Sequence, residues 1–546
     1  MKKKYTLILK RSLLFIFLGL QAFTVLSCSD DDSTNIKSNL TVSRVSLIPL
    51  PQSLTHGRTN IAIPANATIS KDINKIGAEL LTETLKGISG EPSKTDNGSA
   101  FIRVFKENSL AEEGYRISVD DSGCSIYYST NTGLLWGIQT MRQILLQNKP
   151  SAAGEQSIPT LTLSDAPKKA WRGFHIDLAR HMFTMDYLKK LVDCLSLYKI
   201  NKLQLHLTDD QGWRIEIKKY PALTEIGAWR PFDEYDKKCI ELAKTDPTYE
   251  IDSRFIRSGN EYGGYYTQAQ MKELIEFATQ RGIEVIPEID MPGHFSAAIR
   301  AFPQLSCTGE AGWGEEFSYP ICAGKTENYP FIQDIISEVA DLFPSKHFHI
   351  GGDEVEKDIW KKCERCQQLI EDEELGDEDG LQNYFIKKMA DYTKEVKGKQ
   401  VMVWDDSFLP SDPQNLTYTY WRNWLPDQAA QITQQGYPMI FMEWGHFYFS
   451  ATPSDDLLQS LYEFEFEPDF KGIVKSNVLG FQACVWTEMI PNETKFGEHV
   501  FPSLQAFSEL AWGSTRDWSS FTTRLPWHLT WLNNSGFTTR TPQFVD

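Results

Sequence analysis

The stretch "HFHIGGDEV", residues 347–355, reads as a short apolar strand that stops at two glycines and two adjacent acids, Asp353 and Glu354. An Asp-Glu pair usually lies on a solvated surface, but this one follows a run suited to burial. Gly351 and Gly352 let the backbone turn without a Cβ penalty, which carries both acids to the strand's end. The question is how many other strands end in the same way.

Comparable runs begin near Phe174, Lys202, Glu284, Gln400, Leu416, Pro438 and Val478, and amphipathic stretches lie between most of them. One such helix is legible in detail: Thr267 and Gln270 form a capping box, and Met271, Leu274, Ile275 and Ala278 follow at helical spacing. Eight strand-helix units predict an α/β fold, a (β/α)8 barrel, with residues 229–266 as a long loop insertion after the second strand. The rival is an open doubly wound sheet, but no GxGxxG or GxxxxGK[ST] follows any strand. Residues 45–165 mix strand runs such as "YRISV" with two amphipathic stretches and predict a small α+β domain with a packing role. The predicted organisation is therefore 45–165 for the small domain, 166–520 for the barrel and 521–546 for a tail packed on or near it.

With 546 residues, 41% hydrophobic, the chain can bury a large core. Its net charge of -18, without a Lys/Arg cluster beyond the first eleven residues, argues against nucleic acid as a partner. Lys2, Lys3 and Lys4 precede an apolar run, Leu13 to Leu26, too short for a confident membrane span. Residues 1–28 read as a signal segment and 29–44 as a polar tether. "VLSC" resembles a bacterial lipobox, which makes Cys28 the expected lipid anchor on the outer membrane; an ordinary cleaved signal is the alternative. Export would permit disulfides. Cys307 and Cys322 flank a loop and are either bridged or free. Cys363 and Cys366 form a single CxxC with no second CxxC or His pair nearby, so a four-ligand zinc site is not expected.

A barrel of this type places its chemistry where strands end. The polar residues there are Asp177 and Arg180, Asp209 and Asp210, Asp290 and His294, Asp353 and Glu354, Trp404 with Asp405, Trp421 with Arg422, and Trp486 with Glu488. Three indoles among carboxylates suit a pyranose, whose apolar faces stack on rings while its hydroxyls need charged partners. A sugar is the expected ligand.

"DLARH", "LHLTDDQGWRIEI", "YYTQ", "PEIDMPGH", "HIGGDEV" and "QACVWTE", in this order along the chain, resemble glycoside hydrolase family 20, the β-N-acetylhexosaminidases. The resemblance implies exo-acting, retaining, substrate-assisted hydrolysis of terminal N-acetylglucosamine or N-acetylgalactosamine, in which the acetamido oxygen is the nucleophile. It implies that Glu354 is the acid/base, for which an apolar and anionic setting is expected. Asp353 is implied to stay ionised and accept the acetamido N–H, and Tyr448 to donate to the acetamido oxygen. Asp209 and His294 would support Glu354; Arg180 and Glu488 would hold hydroxyls; Trp404, Trp421 and Trp486 would wall the sugar. No cofactor and no metal is implied, and the oligomeric state stays open. Where the family commonly has Tyr-x-Asp, this chain has "FYFS", with Ser450 in the acid's place; Glu443 and Asp455 are the candidates to compensate. A disaccharide-releasing or sulfated-sugar enzyme on the same scaffold, or a non-catalytic glycan-binding lipoprotein, are the alternatives.

Overall fold

The computed structural model describes residues 44–150, 154–310, 317–408 and 416–545. Cys28 and the signal and tether segments lie outside these residues. Among the described residues, no helix is long and apolar enough to cross a membrane.

Residues Ser53–Asp165 form an eight-stranded mixed sheet, closed at one edge by the antiparallel pair Ser53–Ala62 and Gln156–Asp165. Helix Asn131–Leu146 packs on the sheet through Leu134, Trp136, Ile138 and Met141, all buried against Tyr115, Ile117 and Ile126.

Eight parallel strands follow and close into a barrel. They are β1 (Trp171–Asp177), β2 (Lys202–His206), β3 (Glu284–Glu288), β4 (His347–His349), β5 (Gln400–Trp404), β6 (Thr417–Tyr420), β7 (Met439–Phe441) and β8 (Val478–Val485). β8 pairs with β1 from Gly480↔Trp171 to Val485↔Ile176, so no edge strand remains. The linking helices are α1 (Met185–Leu197), α2 (Gln268–Gln280), α3 (Asn328–Leu342), α4 (Glu378–Lys397), α5 (Pro426–Gln434) and α6 (Asp455–Tyr462), and α7 (Ser503–Trp512) covers the outside after β8. Outward residues such as Phe174, Ile176, Leu203 and Leu205 meet these helices in one continuous core. Inward, Trp171, Ile286, Met402 and Ile440 pack together. They come from β1, β3, β5 and β7, a layer contributed by alternate strands.

Three features differ from the sequence expectation. Between β5 and β6 the described residues hold only the 3-10 turn Asp405–Ser407 and no α-helix, because the link is near the lower limit for a helical crossover. The insertion after β2 is built, with a three-stranded sheet of Trp229–Pro231, Ile256–Arg257 and Glu261–Gly263 and a helix, Glu234–Ala243. Its helix starts in a capping box between Asp233 and Asp236, and Asp236 is buried against Arg230. Finally, a boundary at residue 520 falls inside α8 (Trp518–Asn534), whose Phe521, Leu525, Leu529 and Leu532 belong to the main core.

Candidate active site

At the C-terminal mouth of the barrel a cavity of about 320 Å3 is lined by Arg180, His294, Phe317, Asp353, Glu354, Trp421, Trp444, Tyr448, Ser450, Trp486 and Glu488. Eight of the residues read from the sequence as site residues are therefore brought together. They enter from the stretches that follow six of the strands, with Asp353 and Glu354 sharing the one after β4 and Trp486 and Glu488 the one after β8.

The β4 turn sets the two acids. Gly351 and Gly352 adopt φ of 69° and 100°, and Glu354 itself sits at φ 49°. A positive φ in a glutamate is strained and persists only where the surroundings hold it. The turn is held by the Gly352 N–H, which donates to Asp290 Oδ1 at 3.1 Å, and by the Gly352 carbonyl, which accepts from Gln382 and Ser407. Asp353 is 6% exposed, and its Oδ1 has no hydrogen-bond partner. Burial, followed by the nearby Asp290, pushes the Asp353 carboxyl well above the usual aspartate range, with His294 pulling the other way. The Glu354 side chain is 37% exposed at the rim. Of the apolar and anionic setting expected for it, the apolar part is therefore incomplete, because the side chain is open to solvent.

His294 connects Glu354 to the barrel interior. Its Nε2 lies 3.5 Å from Glu354 Oε2 and 3.8 Å from Asp353 Oδ2, and its Nδ1 lies 3.1 Å from Asp209 Oδ1. Burial alone would lower its pKa, but Asp209, Asp210 and Glu354 overcome this and raise it well above the ordinary histidine value. The chain continues inward: Asp209 Oδ2 meets His206 Nε2 at 2.7 Å, and His206 Nδ1 lies 3.0 Å from Glu288 Oε2. Glu288 also faces His175 and His349 and accepts from Gln204 and Trp404. This buried polar layer was missed in the sequence. Its signal was present, since His175, Gln204, His206, Glu288 and His349 each directly follow an apolar residue within a strand.

On the opposite side, Arg180 is 6% exposed and held by Asp209 at 2.9 Å and Asp177 at 3.3 Å, with Glu488 at 3.7 Å. Its guanidinium lies over the Trp486 ring. Tyr448 stacks parallel to Trp421 with centroids 6.3 Å apart, and the Trp421 Nε1–H donates to Asp406 at 2.7 Å. Burial raises the Tyr448 phenol well above its ordinary value, which keeps it a proton-bearing donor.

Trp404 does not line the cavity. It points into the barrel, 1% exposed, with its Nε1–H donating to Glu288 at 2.8 Å, and lies beneath Trp486 with ring centroids 5.9 Å apart. Asp209 also lies below the surface and acts only through Arg180, His206 and His294. Asp405 and Arg422 pair with each other and stay outside the cavity. Phe317 and Trp444 were not read from the sequence. Phe317 is 60% exposed and packs edge-on against His294, and Trp444 is 54% exposed on the short helix Trp444–Phe447. Both come from loops that carry no strand-end signal.

The suggested substitutes for the missing acid do not serve. Glu443 is fully buried and caps the Trp444–Phe447 helix through the N–H groups of Gly445 and His446. Asp455 pairs with Arg540. Ser450 itself reaches the cavity, and its hydroxyl accepts the Trp486 N–H at 2.7 Å. That edge of the cavity therefore offers a neutral hydroxyl.

Of the two readings open for Cys307 and Cys322, bridged or free, the structure has them free. They converge with Cys363 and Cys366, all four sulfurs lying within 4.8 Å of one another.

Comparison with known proteins gives a consistent picture. Residues 170–515 match the profile of Glycosyl hydrolase family 20, catalytic domain, and residues 44–166 match domain 2 of the same family. A Beta-hexosaminidase of Porphyromonas gingivalis is 33% identical over 88% of this chain, which spans 62% of that protein's length. A Beta-hexosaminidase of Vibrio furnissii is 30% identical over 85% of this chain and 76% of its own. Among solved structures, an exo beta-N-acetylglucosaminidase of Vibrio harveyi in complex with N-acetylglucosamine superposes with a TM-score of 0.77 at 27% identity, covering 91% of this chain and 78% of that one.

Proposed function

We propose, because this chain belongs to glycosyl hydrolase family 20, that it is an exo-acting retaining β-N-acetylhexosaminidase using the acetamido group of its substrate as nucleophile. The observation that carries this reading is the unpartnered Asp353 Oδ1, buried at the cavity beside Glu354. A buried acceptor without a donor is costly, and an amide N–H arriving there satisfies it. A cavity of about 320 Å3 is near the lower end of small-molecule sites, roughly 300–1,000 Å3, and suits one terminal sugar.

In this reading the ring stacks on Trp486, and Arg180 and Glu488 take its outer hydroxyls. The acetamido group lies between Trp421 and Tyr448, with its N–H on Asp353 and its oxygen receiving the Tyr448 phenol. That oxygen attacks the anomeric carbon as the glycosidic C–O bond breaks and Glu354 gives its proton to the leaving oxygen. Asp353 stabilises the positive charge that grows on the amide nitrogen. Glu354 then takes a proton from water, whose oxygen attacks the same carbon; the oxazolinium opens, the acetamide is restored and Glu354 is protonated again. His294 and Asp209 orient Glu354 through both steps. Because Ser450 leaves one edge of the sugar without a carboxylate, both gluco and galacto configurations remain open.

Glu354→Gln should lower turnover of a β-linked N-acetylglucosamine disaccharide by about 100- to 10,000-fold, with unchanged binding of the product sugar by calorimetry. Wild-type turnover in that variant would remove the assigned acid. We also propose that Cys28 is acylated and anchors the chain to the outer membrane, since a lipobox-like "VLSC" precedes a polar tether. Labelled palmitate should enter the wild type and not Cys28→Ala; label retained by the variant would exclude that anchor.

A further inference from the structure

The four gathered cysteines lie outside the cavity and have no part in the reaction above. Cys307 follows the 3-10 turn Pro303–Leu305, Cys322 lies before α3, Cys363 occupies the N-cap position of the helix Glu364–Asp372, and Cys366 is in its first turn. Cys322 and Cys366 are fully buried, and Cys307 and Cys363 are half-buried. The sulfur separations are 3.8 Å for Cys307–Cys366, 3.7 Å for Cys322–Cys363 and 3.6 Å for Cys322–Cys366. Four thiolates about 2.3 Å from a central zinc ion stand about 3.8 Å apart along each edge of the tetrahedron. Two disulfides would instead give two separations of about 2.05 Å and leave the others long. Here Cys322 is equally near both cysteines of the CxxC pair, which is the property of a tetrahedron and not of a bridged couple.

The chain around the cluster is fitted to it. Gly324 N–H faces the sulfurs of both Cys322 and Cys366, the kind of outer-shell hydrogen bond that orients thiolate ligands. A Cβ on Gly324 would lie 2.4 Å from the Arg365 carbonyl and 2.5 Å from the Cys366 nitrogen, so only glycine lets the two segments approach this closely. The Asn328 amide holds the Cys322 and Leu305 carbonyls, and the Trp360 indole holds the Ile321 carbonyl. The geometry points to a structural zinc site in which Cys307, Cys322, Cys363 and Cys366 hold one tetrahedral ion.

Its place in the fold assigns it a use. The first two ligands lie on the link from β3 to α3 and the last two on the link from β4 to α4. The former link carries His294 and Phe317, with Ser318 bonded to both His294 and Asp210. The latter carries Asp353 and Glu354. The ion would clip together the two loops that supply the acid/base, its histidine and one wall of the cavity, and metal binding of this kind adds directly to folding stability.

Full-length protein purified without added metal should carry one zinc per chain by plasma mass spectrometry. Stripping it with a chelator under denaturing conditions should let all four thiols alkylate without reductant, as read by peptide mass. Native protein freed of zinc should unfold at a lower temperature, and added zinc should restore the midpoint. Cys363→Ser with Cys366→Ser should lose the zinc, whereas Cys124→Ala, a buried cysteine of the N-terminal sheet, should keep it. Wild-type protein holding less than stoichiometric zinc, or yielding these four cysteines as two disulfides, would overturn the site; neither result depends on a variant that folds.

Discussion

Asp290 is fully buried, with Oδ1 accepting the Gly352 N–H and Oδ2 without a partner. Burial raises its pKa to about 7; His294 opposes this and Glu288 adds to it. An acid whose pKa is higher folded than unfolded binds more protons in the folded state across the window between the two values, here from about 4 to about 7. Stability from this group is therefore present at acidic pH and lost as pH rises through 7. Asp290→Asn keeps the acceptor for Gly352 and removes the titration. It should be more stable than wild type at pH 8 by on the order of 2 kcal/mol, with the difference vanishing toward pH 4, as measured by urea unfolding. A variant less stable at pH 8 would show that Asp290 is ionised at no cost. At this scale the acids Asp353 and Glu354 were legible, because acids rarely follow an apolar strand without a use. Trp404 was misread as a wall, because a sequence shows that a residue ends a strand but not whether its side chain points into the barrel or above it.

β4 spans only His347–His349, yet it positions both acids through the turn that follows. Gly351 is the constrained member: a Cβ there would lie 1.6 Å from Asp290 Oδ1 and 2.8 Å from the Asp290 Cα. At Gly352 the nearest obstacle is only the Ser407 hydroxyl, but its φ of 100° is one that side chains rarely adopt. Gly351→Ala should therefore destabilise the fold by about 1–3 kcal/mol or more and reduce turnover as Asp353 and Glu354 shift. Wild-type stability and rate in that variant would show that the turn is free to move. Strand positions were readable because buried parallel strands are short apolar runs. The connections were less so. The helix expected between β5 and β6 is not found among the described residues, and the insertion after β2 gains order from Arg230 and Asp236, whose pairing is tertiary.

The N-terminal sheet and the barrel share buried charge. Lys199, 1% exposed, meets Asp165 at 2.9 Å, and Asp165 also accepts from Tyr115 and from the Trp512 indole. Arg172 pairs with Glu113 at 2.6 Å and Arg142 with Asp193 at 3.2 Å across the same boundary. Removing one member of a buried pair leaves the other charge uncompensated, so Asp165→Asn should cost about 3–5 kcal/mol in urea unfolding. Unfolding of sheet and barrel in two separate transitions in the wild type would argue against this coupling.

From the sequence alone came the strand order of the barrel, the small domain before it, the acid pair, the arginine and most of the aromatic wall, because hydrophobic period and strand-end polarity are local properties of the chain. What the tertiary structure decided is convergence. Glu288 and His206 join the acid/base network through the barrel interior, Phe317 and Trp444 reach the cavity from loops, and cysteines at 307, 322, 363 and 366 meet because β3 and β4 are neighbours in the closed sheet. Distances between side chains far apart in sequence follow from how strands close and loops pack, and no local pattern encodes them.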